Sequence, residues 1–100
     1  MRTGPAGRAF LAGALAQERD PLRRIDLLDA VGSVGDELGR RVLLEALAVG
    51  DPGPEALFAA SRLVHLGPAE LVATRIKRAA QDTRDGDVRT ALWCLLWRWY

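Results

Sequence analysis

An internal repeat of about 32 residues is the feature that most restricts how this chain can fold. Apolar and small residues return at that spacing in two sets. The first set is Leu11, Ala14, Leu15 and Ala16, which return as Leu43, Ala46, Leu47 and Ala48 and, more weakly, as Ile76, Ala79 and Ala80. The second set is Ile25, Leu28, Val31, Val34 and Gly35, which return as Leu57, Ala60, Leu63, Leu66 and Gly67. A repeat of this length, with a glycine turn in each period, is typical of stacked helical pairs.

Turn-forming residues divide the chain into six segments, and each segment has apolar residues at helical spacing. The composition is rich in Ala, Leu, Arg and Glu, which are good helix formers. The turns are Asp20-Pro21, Gly35-Asp36, Gly50-Asp51-Pro52-Gly53-Pro54, Gly67-Pro68 and Asp85-Gly86-Asp87. The spacing predicts helices over residues 7–18, 21–33, 36–49, 54–66, 68–82 and 87–99.

Two of the helix starts carry specific local signals. Asp20 followed by Pro21 predicts an N-cap with proline at the first helical position. Gly67-Pro68 predicts a start by the same logic, with Glu70 in the first turn, where the helix dipole favours an acid.

The repeated pieces resemble the HEAT family, in particular its short variant related to phycobilisome lyase repeats. In that variant an apolar helix ends in a glycine turn, a second helix has a Leu-Leu-x-Ala-Leu core, and Asp-Pro or Asp-x-x-Val-Arg opens the next unit. The matching pieces here are Val34-Gly35 and Leu66-Gly67, then Leu43-Leu44-Glu45-Ala46-Leu47, then Asp51-Pro52 and Asp87-Val88-Arg89. The resemblance covers residues 10–99 and implies a stack of helical pairs with a scaffold or binding role. It implies no substrate.

The fold class expected from the repeat and the resemblance is all-α, a six-helix right-handed α-solenoid of HEAT-like helical pairs. Two full pairs are expected between two half units. The chain, 1–100, is expected to be one domain, with residues 1–6 as a flexible tail. The alternative is a compact five- or six-helix bundle whose periodicity is partly coincidental. The third unit departs most from the pattern, because Arg75, Lys77 and Arg78 interrupt its apolar run.

Charge and cysteine content indicate the environment of the protein. The formal net charge of +1 predicts no general attraction to nucleic acid or to an anionic membrane. The single cysteine, Cys94, excludes an internal disulfide and suits a reducing cytoplasm. The apolar stretch 9–16 is too short for a signal peptide, and no segment reaches the ~18 apolar residues of a membrane span. We expect a soluble, cytoplasmic protein.

Residue types that carry catalysis or bind metals are scarce. The only histidine, His65, is expected to bond carbonyls at a helix end, and Cys94 is expected to be small packing filler. One histidine and one cysteine cannot form a Cys/His metal cage, and the sequence has no glycine-rich phosphate loop. Asp26 and Asp29 share a helix face, but pairing with Arg23 and with adjacent helices explains them better than catalysis. We therefore expect no enzyme, no cofactor and no metal.

A cluster of basic residues lies on the helices that would form the second helix of each repeat. In a stack these helices line one continuous face, so their basic side chains would form a strip. The residues are Arg40, Arg41, Arg75, Lys77 and Arg78. Such a strip can contact phosphates or an acidic partner, although no aromatic residues interleave with the arginines as single-strand binding favours. Nucleic-acid binding is accordingly the second function that we consider.

The last predicted helix is apolar on two opposite sides. At about 100° per residue, one side would dock on the preceding helices, and it consists of Val88, Ala91, Leu92, Leu95, Leu96 and Trp99. Trp93, Trp97 and Tyr100 fall on the other side, with Arg89 and Arg98 beside them as a polar rim. Large aromatics on an uncovered face are typical of an interface. The alternative is a helix buried on both sides in a bundle.

The first function that the sequence predicts is a non-catalytic protein–protein interaction scaffold or regulator. Its expected interface is the aromatic side of the last helix, and its expected partner is another protein or a second copy of the chain.

Overall fold

Six α-helices, and no β-strand, make up the part of the chain described by a computed structural model, which covers residues 5–33, 35–48, 50–67 and 69–100. The helices are α1 Pro5–Gln17, α2 Pro21–Gly32, α3 Glu37–Leu47, α4 Pro54–Leu66, α5 Glu70–Asp82 and α6 Gly86–Trp99. The predicted all-α class and the number of helices are confirmed. The radius of gyration is 13.1 Å, close to the ~13 Å of a globular domain of this length.

Each helix begins and ends within two residues of its predicted bounds. The largest differences are two residues each: α1 begins at Pro5 inside the predicted tail, α3 ends at Leu47, and α5 begins at Glu70. Residues 1–4 of the predicted tail, and Pro68 of the predicted α5 start, lie outside the described residues.

Aspartate side chains start three of the helices. The Asp20 carboxylate accepts the Leu22 N–H at 3.0 Å, as the Asp20-Pro21 signal predicts. Asp36 caps α3 in the same way, and Asp85 accepts two amides at the start of α6. Each cap satisfies backbone donors that have no partner inside their own helix, which is why local sequence located these starts well.

Two glycines shape the turn between α2 and α3. Gly35 has φ +82, a left-handed conformation that glycine adopts without the strain of a side chain. A Cβ at Gly39 would stand 2.8 Å from the Val31 carbonyl oxygen, so only glycine lets the start of α3 approach α2 this closely.

The core contains several apolar residues of the repeat, although Ala16 and Ala48 are exposed and Val34 lies outside the described residues. Leu28, Ala60 and Leu92 are 32 positions apart, and all three are fully buried, one on each of α2, α4 and α6. Leu43 and Ile76 are equally buried on α3 and α5. The repeat in the sequence is therefore a repeat of core positions.

The helices contact one another in two sets. α2 contacts α4 and α4 contacts α6, while α3 contacts α5 beside them. Consecutive helices also pack together, most extensively α1 with α2, α3 with α4, and α5 with α6. These three pairs are joined by the aspartate turns, whereas the glycine turns join helices that contact less extensively.

Among the residues that the structure describes, five polar links join positions 31 to 33 apart, which is about the length of the sequence repeat. The longest-range ion pairs are of this kind, with the Arg24 Nε 2.5 Å from the Glu55 Oε1 and the Arg62 Nη2 2.9 Å from the Asp29 Oδ1. The other three are the Thr83 hydroxyl to the Pro52 carbonyl, the Arg84 N–H to the Asp51 carboxylate, and the Tyr100 hydroxyl to the Ala69 carbonyl.

Thr83 makes one of these hydrogen bonds in the protein interior. Its side chain is 1% exposed. Its hydroxyl donates to the Pro52 carbonyl at 2.5 Å and accepts the Asp85 N–H at 3.2 Å. One hydroxyl thus joins the turn before α4 to the turn before α6, and its removal leaves a buried carbonyl without this donor.

We expect Thr83→Val to lower the free energy of unfolding by about 2 kcal/mol, because the isosteric side chain keeps the packing but loses both hydrogen bonds. Urea denaturation monitored by circular dichroism measures the change. Thr74→Val is the matched control, since the Thr74 hydroxyl is exposed and bonds only the Glu70 carbonyl of its own helix. Equal effects of the two substitutions would contradict the buried link.

Candidate interaction surfaces

The side of α6 that faces away from the core carries large aromatics. Trp97 is 91% exposed and Trp93 is 41% exposed, whereas Val88 and Leu92 on the opposite side are buried. The predicted separation of the two sides is confirmed for Val88, Leu92 and Trp97, whereas Leu96 and Trp99 of the predicted docking side are also partly exposed. We call the exposed side the aromatic face of α6; it is formed by Thr90, Trp93, Cys94, Trp97 and Tyr100, which line one open concavity with Leu96 and Arg98.

The aromatic face offers few free polar groups. The Thr90 hydroxyl donates to the Gly86 carbonyl at 2.9 Å within α6, so this side chain has its donor satisfied by the helix. Cys94 is exposed on this face. The prediction that Cys94 is packing filler is wrong, because its side chain is exposed and lines the open concavity.

Tyr100 belongs only in part to the exposed surface. It is 51% exposed, and its hydroxyl donates to the Ala69 carbonyl at 3.0 Å. Ala69 is the N-cap of α5, so this bond ties the end of α6 to the start of α5. Burial raises the pKa of the Tyr100 phenol above its ordinary value, since the charged form loses solvation.

Arg89, one of the two predicted rim residues, is exposed and also bonds the end of α5. Its guanidinium donates to the Thr83 carbonyl at 2.6 Å and to the Ala80 carbonyl at 3.3 Å, at the end of α5. A cation at a helix C-terminus satisfies carbonyls that lack an intrahelical donor. Arg98, the other predicted rim residue, is exposed at the edge of the aromatic face.

Arg24 bonds the end of α1 in the same way, because its guanidinium donates to the Leu15 and Glu18 carbonyls at 2.7 Å. Sequence reasoning missed this role for both arginines. The signal was present, because each arginine follows an N-cap aspartate by four residues, Asp20 in one case and Asp85 in the other.

His65 lies on α4 next to the last turn of α6. Its Nδ1 lies 2.7 Å from the Ser61 carbonyl oxygen, as expected for a histidine near a helix C-terminus. Its ring lies against Trp99, with centroids 5.2 Å apart. Trp99, predicted to dock on the preceding helices, is 38% exposed and so is only partly covered by this contact.

Four of the five predicted basic residues meet in two adjoining shallow grooves between α3 and α5. Arg40, Arg41 and Arg75 line one groove, and Arg75 and Arg78 line the other. Lys77 is exposed on α5 but lines neither groove.

Acidic side chains share these grooves. Glu37 and Glu45 line the first and Asp82 the second. Arg41 pairs with Glu45 at 3.9 Å, and Arg78 pairs with Asp82 at 4.0 Å. The surface is therefore of mixed charge, which weakens its attraction for phosphate.

Within the described residues, no helix is long and apolar enough to span a bilayer. No group of three or more His, Cys, Asp or Glu side chains in that part of the chain is arranged to hold a metal ion. Searches with family models, curated proteins and solved structures found no match to this chain.

We expect Tyr100 to titrate above its ordinary pKa in the folded protein and at its ordinary pKa in urea. Since the folded-state pKa is the higher one, the stabilisation from this phenol is complete below the unfolded-state pKa and is lost as the pH rises through the folded-state pKa. The phenolate absorbance reports this residue alone, because it is the only tyrosine. Identical titrations in the two states would contradict the burial of this phenol in the folded protein.

We expect no retardation of DNA or RNA by this protein at physiological salt, because carboxylates share the grooves with the arginines. Electrophoretic shifts at low and physiological salt measure this. Retardation at physiological salt that is lost on Arg75→Ala with Arg78→Ala would contradict the expectation and favour nucleic-acid binding.

Proposed function

We propose that this protein is a non-catalytic protein-interaction scaffold or regulator, built as a HEAT-like helical stack, whose binding surface is the aromatic face of α6. The observation that carries the proposal is the 91% exposure of Trp97 among other exposed aromatics. An exposed tryptophan costs solubility unless something covers it. Trp and Tyr are also the residues that most often dominate binding energy at protein interfaces.

The arrangement of the helices supports a stack. α2, α4 and α6 contact in order, as do α3 and α5 beside them. The five polar links join positions one sequence repeat apart. Contact between equivalent positions of neighbouring units is the property that defines a repeat protein.

A reducing cytoplasm is the compartment that we propose. Cys94 is an exposed thiol, and such a thiol persists unpaired where the surroundings are reducing. The proposed function also requires no catalytic group, metal or cofactor, because the binding surface consists of aromatic side chains.

Nucleic-acid binding is the second candidate, favoured by the meeting of Arg40, Arg41 and Arg75 in one groove. We rank it below protein binding because Glu37 and Glu45 line the same groove. Counterion release, which drives such binding, depends on unopposed positive charge.

We expect a photo-reactive benzoylphenylalanine in place of Trp97 to form covalent protein adducts in the native host. The same group in place of Leu22 on α2 is the control, since that side chain is 75% exposed and lies on another helix. Adducts at position 97 and not at position 22 support the proposal. Absence of adducts at 97, or equal adducts at both, would overturn it.

Trp97→Ser should weaken the captured association at least tenfold, or ~1.4 kcal/mol. It should change stability by less than ~0.5 kcal/mol, because the side chain is almost fully exposed. Leu22→Ser should change neither quantity.

A further inference from the structure

We propose that the aromatic face of α6 binds α6 of a second copy of this chain, antiparallel and across a two-fold axis. The inference rests on the proposed function and names its partner. It is argued from the charges that flank the face and the area that the face exposes.

The two charged residues at the edge of the face are complementary to their own copies. Asp87 and Arg98 are 11 residues apart on α6, which is about three turns and leaves them within ~20° of each other around the helix axis. Both are exposed, and neither forms an ion pair with any described residue. The helix thus carries a negative charge at one end of an edge and a positive charge at the other, roughly 16 Å apart.

An antiparallel copy satisfies both charges at once. If the axis passes between Leu92 and Trp93, Asp87 of each copy faces Arg98 of the other. The pair forms twice, as a two-fold axis requires. A parallel copy would instead place like charges together, which is unfavourable.

The same register gives a workable packing at the centre of the face. The two Trp93 side chains then lie beside the axis and can pack against each other, while Cys94 lies near Thr90 of the second copy. Each Trp97 lies over the first turn of the opposing helix, beside Asp87. The Thr90 hydroxyl, already bonded to the Gly86 carbonyl, adds no unpaired donor.

The exposed area predicts a weak dimer. From their exposed fractions, Trp93, Trp97 and Tyr100 expose together roughly 350 Å² per copy. A standard interface takes ~800 Å² from each partner. The association is therefore expected to depend on concentration and to be sensitive to the two flanking ion pairs.

Charge exchange tests the register. Sedimentation equilibrium over a wide concentration range measures the dimer Kd of the wild type, Asp87→Arg, Arg98→Asp and the double exchange. Each single change should raise Kd about tenfold or more, because it creates two like-charge pairs. The double exchange should restore Kd to within about threefold of the wild type, since it rebuilds both pairs in reverse.

Two controls carry the same change in charge elsewhere. Asp26→Arg on α2 and Lys77→Glu on α5 are exposed positions, and neither should alter Kd. Both exchanges in α6 oppose the helix dipole, so rescue by the double exchange cannot come from a more stable helix. Circular dichroism confirms that each variant is folded.

Chemical cross-linking tests the same geometry without any charge change. A short bismaleimide should join wild-type copies through Cys94, the only cysteine, and should join none of Cys94→Ser. Most of the cross-link should disappear in Trp97→Ser.

Four results would overturn the dimer. They are a wild type that stays monomeric at every concentration, single reversals that leave Kd unchanged, a double exchange no tighter than the singles, and a dimer that Cys94 does not cross-link. Photo-adducts at position 97 made only with another protein would also overturn it, while leaving the proposed function intact. Only the absence of position-specific adducts removes the proposed function itself.

Discussion

The rest of the structure depends on how closely other helices can approach α4. This one helix contacts α2, α3, α5 and α6. Its buried surface includes Ala56, Ala59 and Ala60, all fully buried, so four neighbours can approach its backbone without steric conflict. Helices of 11 to 14 residues are barely stable alone in water. The contacts around α4 are therefore what keeps its neighbours helical.

Polar groups at the helix ends also stabilise the fold. Arg24 and Arg89 close the ends of α1 and α5, and Thr83 joins two turns from a fully buried position. These groups sit where a packed helix exposes carbonyls with no donor of its own. They add little net attraction each, but an unpaired buried carbonyl would cost more than the bond contributes. The links therefore favour one arrangement of the helices over its alternatives.

The position of α6 at the end of the series α2, α4, α6 explains why its surface differs from that of α4. Leu63 and Val64 on α4 are fully buried, whereas their equivalents one repeat later, Leu95 and Leu96, are only partly buried. Within this series α4 contacts α2 on one side and α6 on the other, whereas α6 contacts α4 on one side. The side chains of α6 are therefore incompletely buried from these leucines to Trp97. The surface that we propose for binding is thus continuous with the core.

The sequence by itself determined where the helices begin and end to within two residues, that Leu28, Ala60 and Leu92 occupy equivalent positions, and that α6 carries aromatics away from its buried side. These properties follow from caps and spacings within one helix, such as Asp20 with Pro21, and local chemistry is sufficient for them. Only the tertiary structure decided that Arg89 bonds the end of α5, that Tyr100 reaches Ala69, and that Cys94 is exposed. Each of these depends on the distance between helices. That distance is set by packing around α4, which no single segment of the chain encodes.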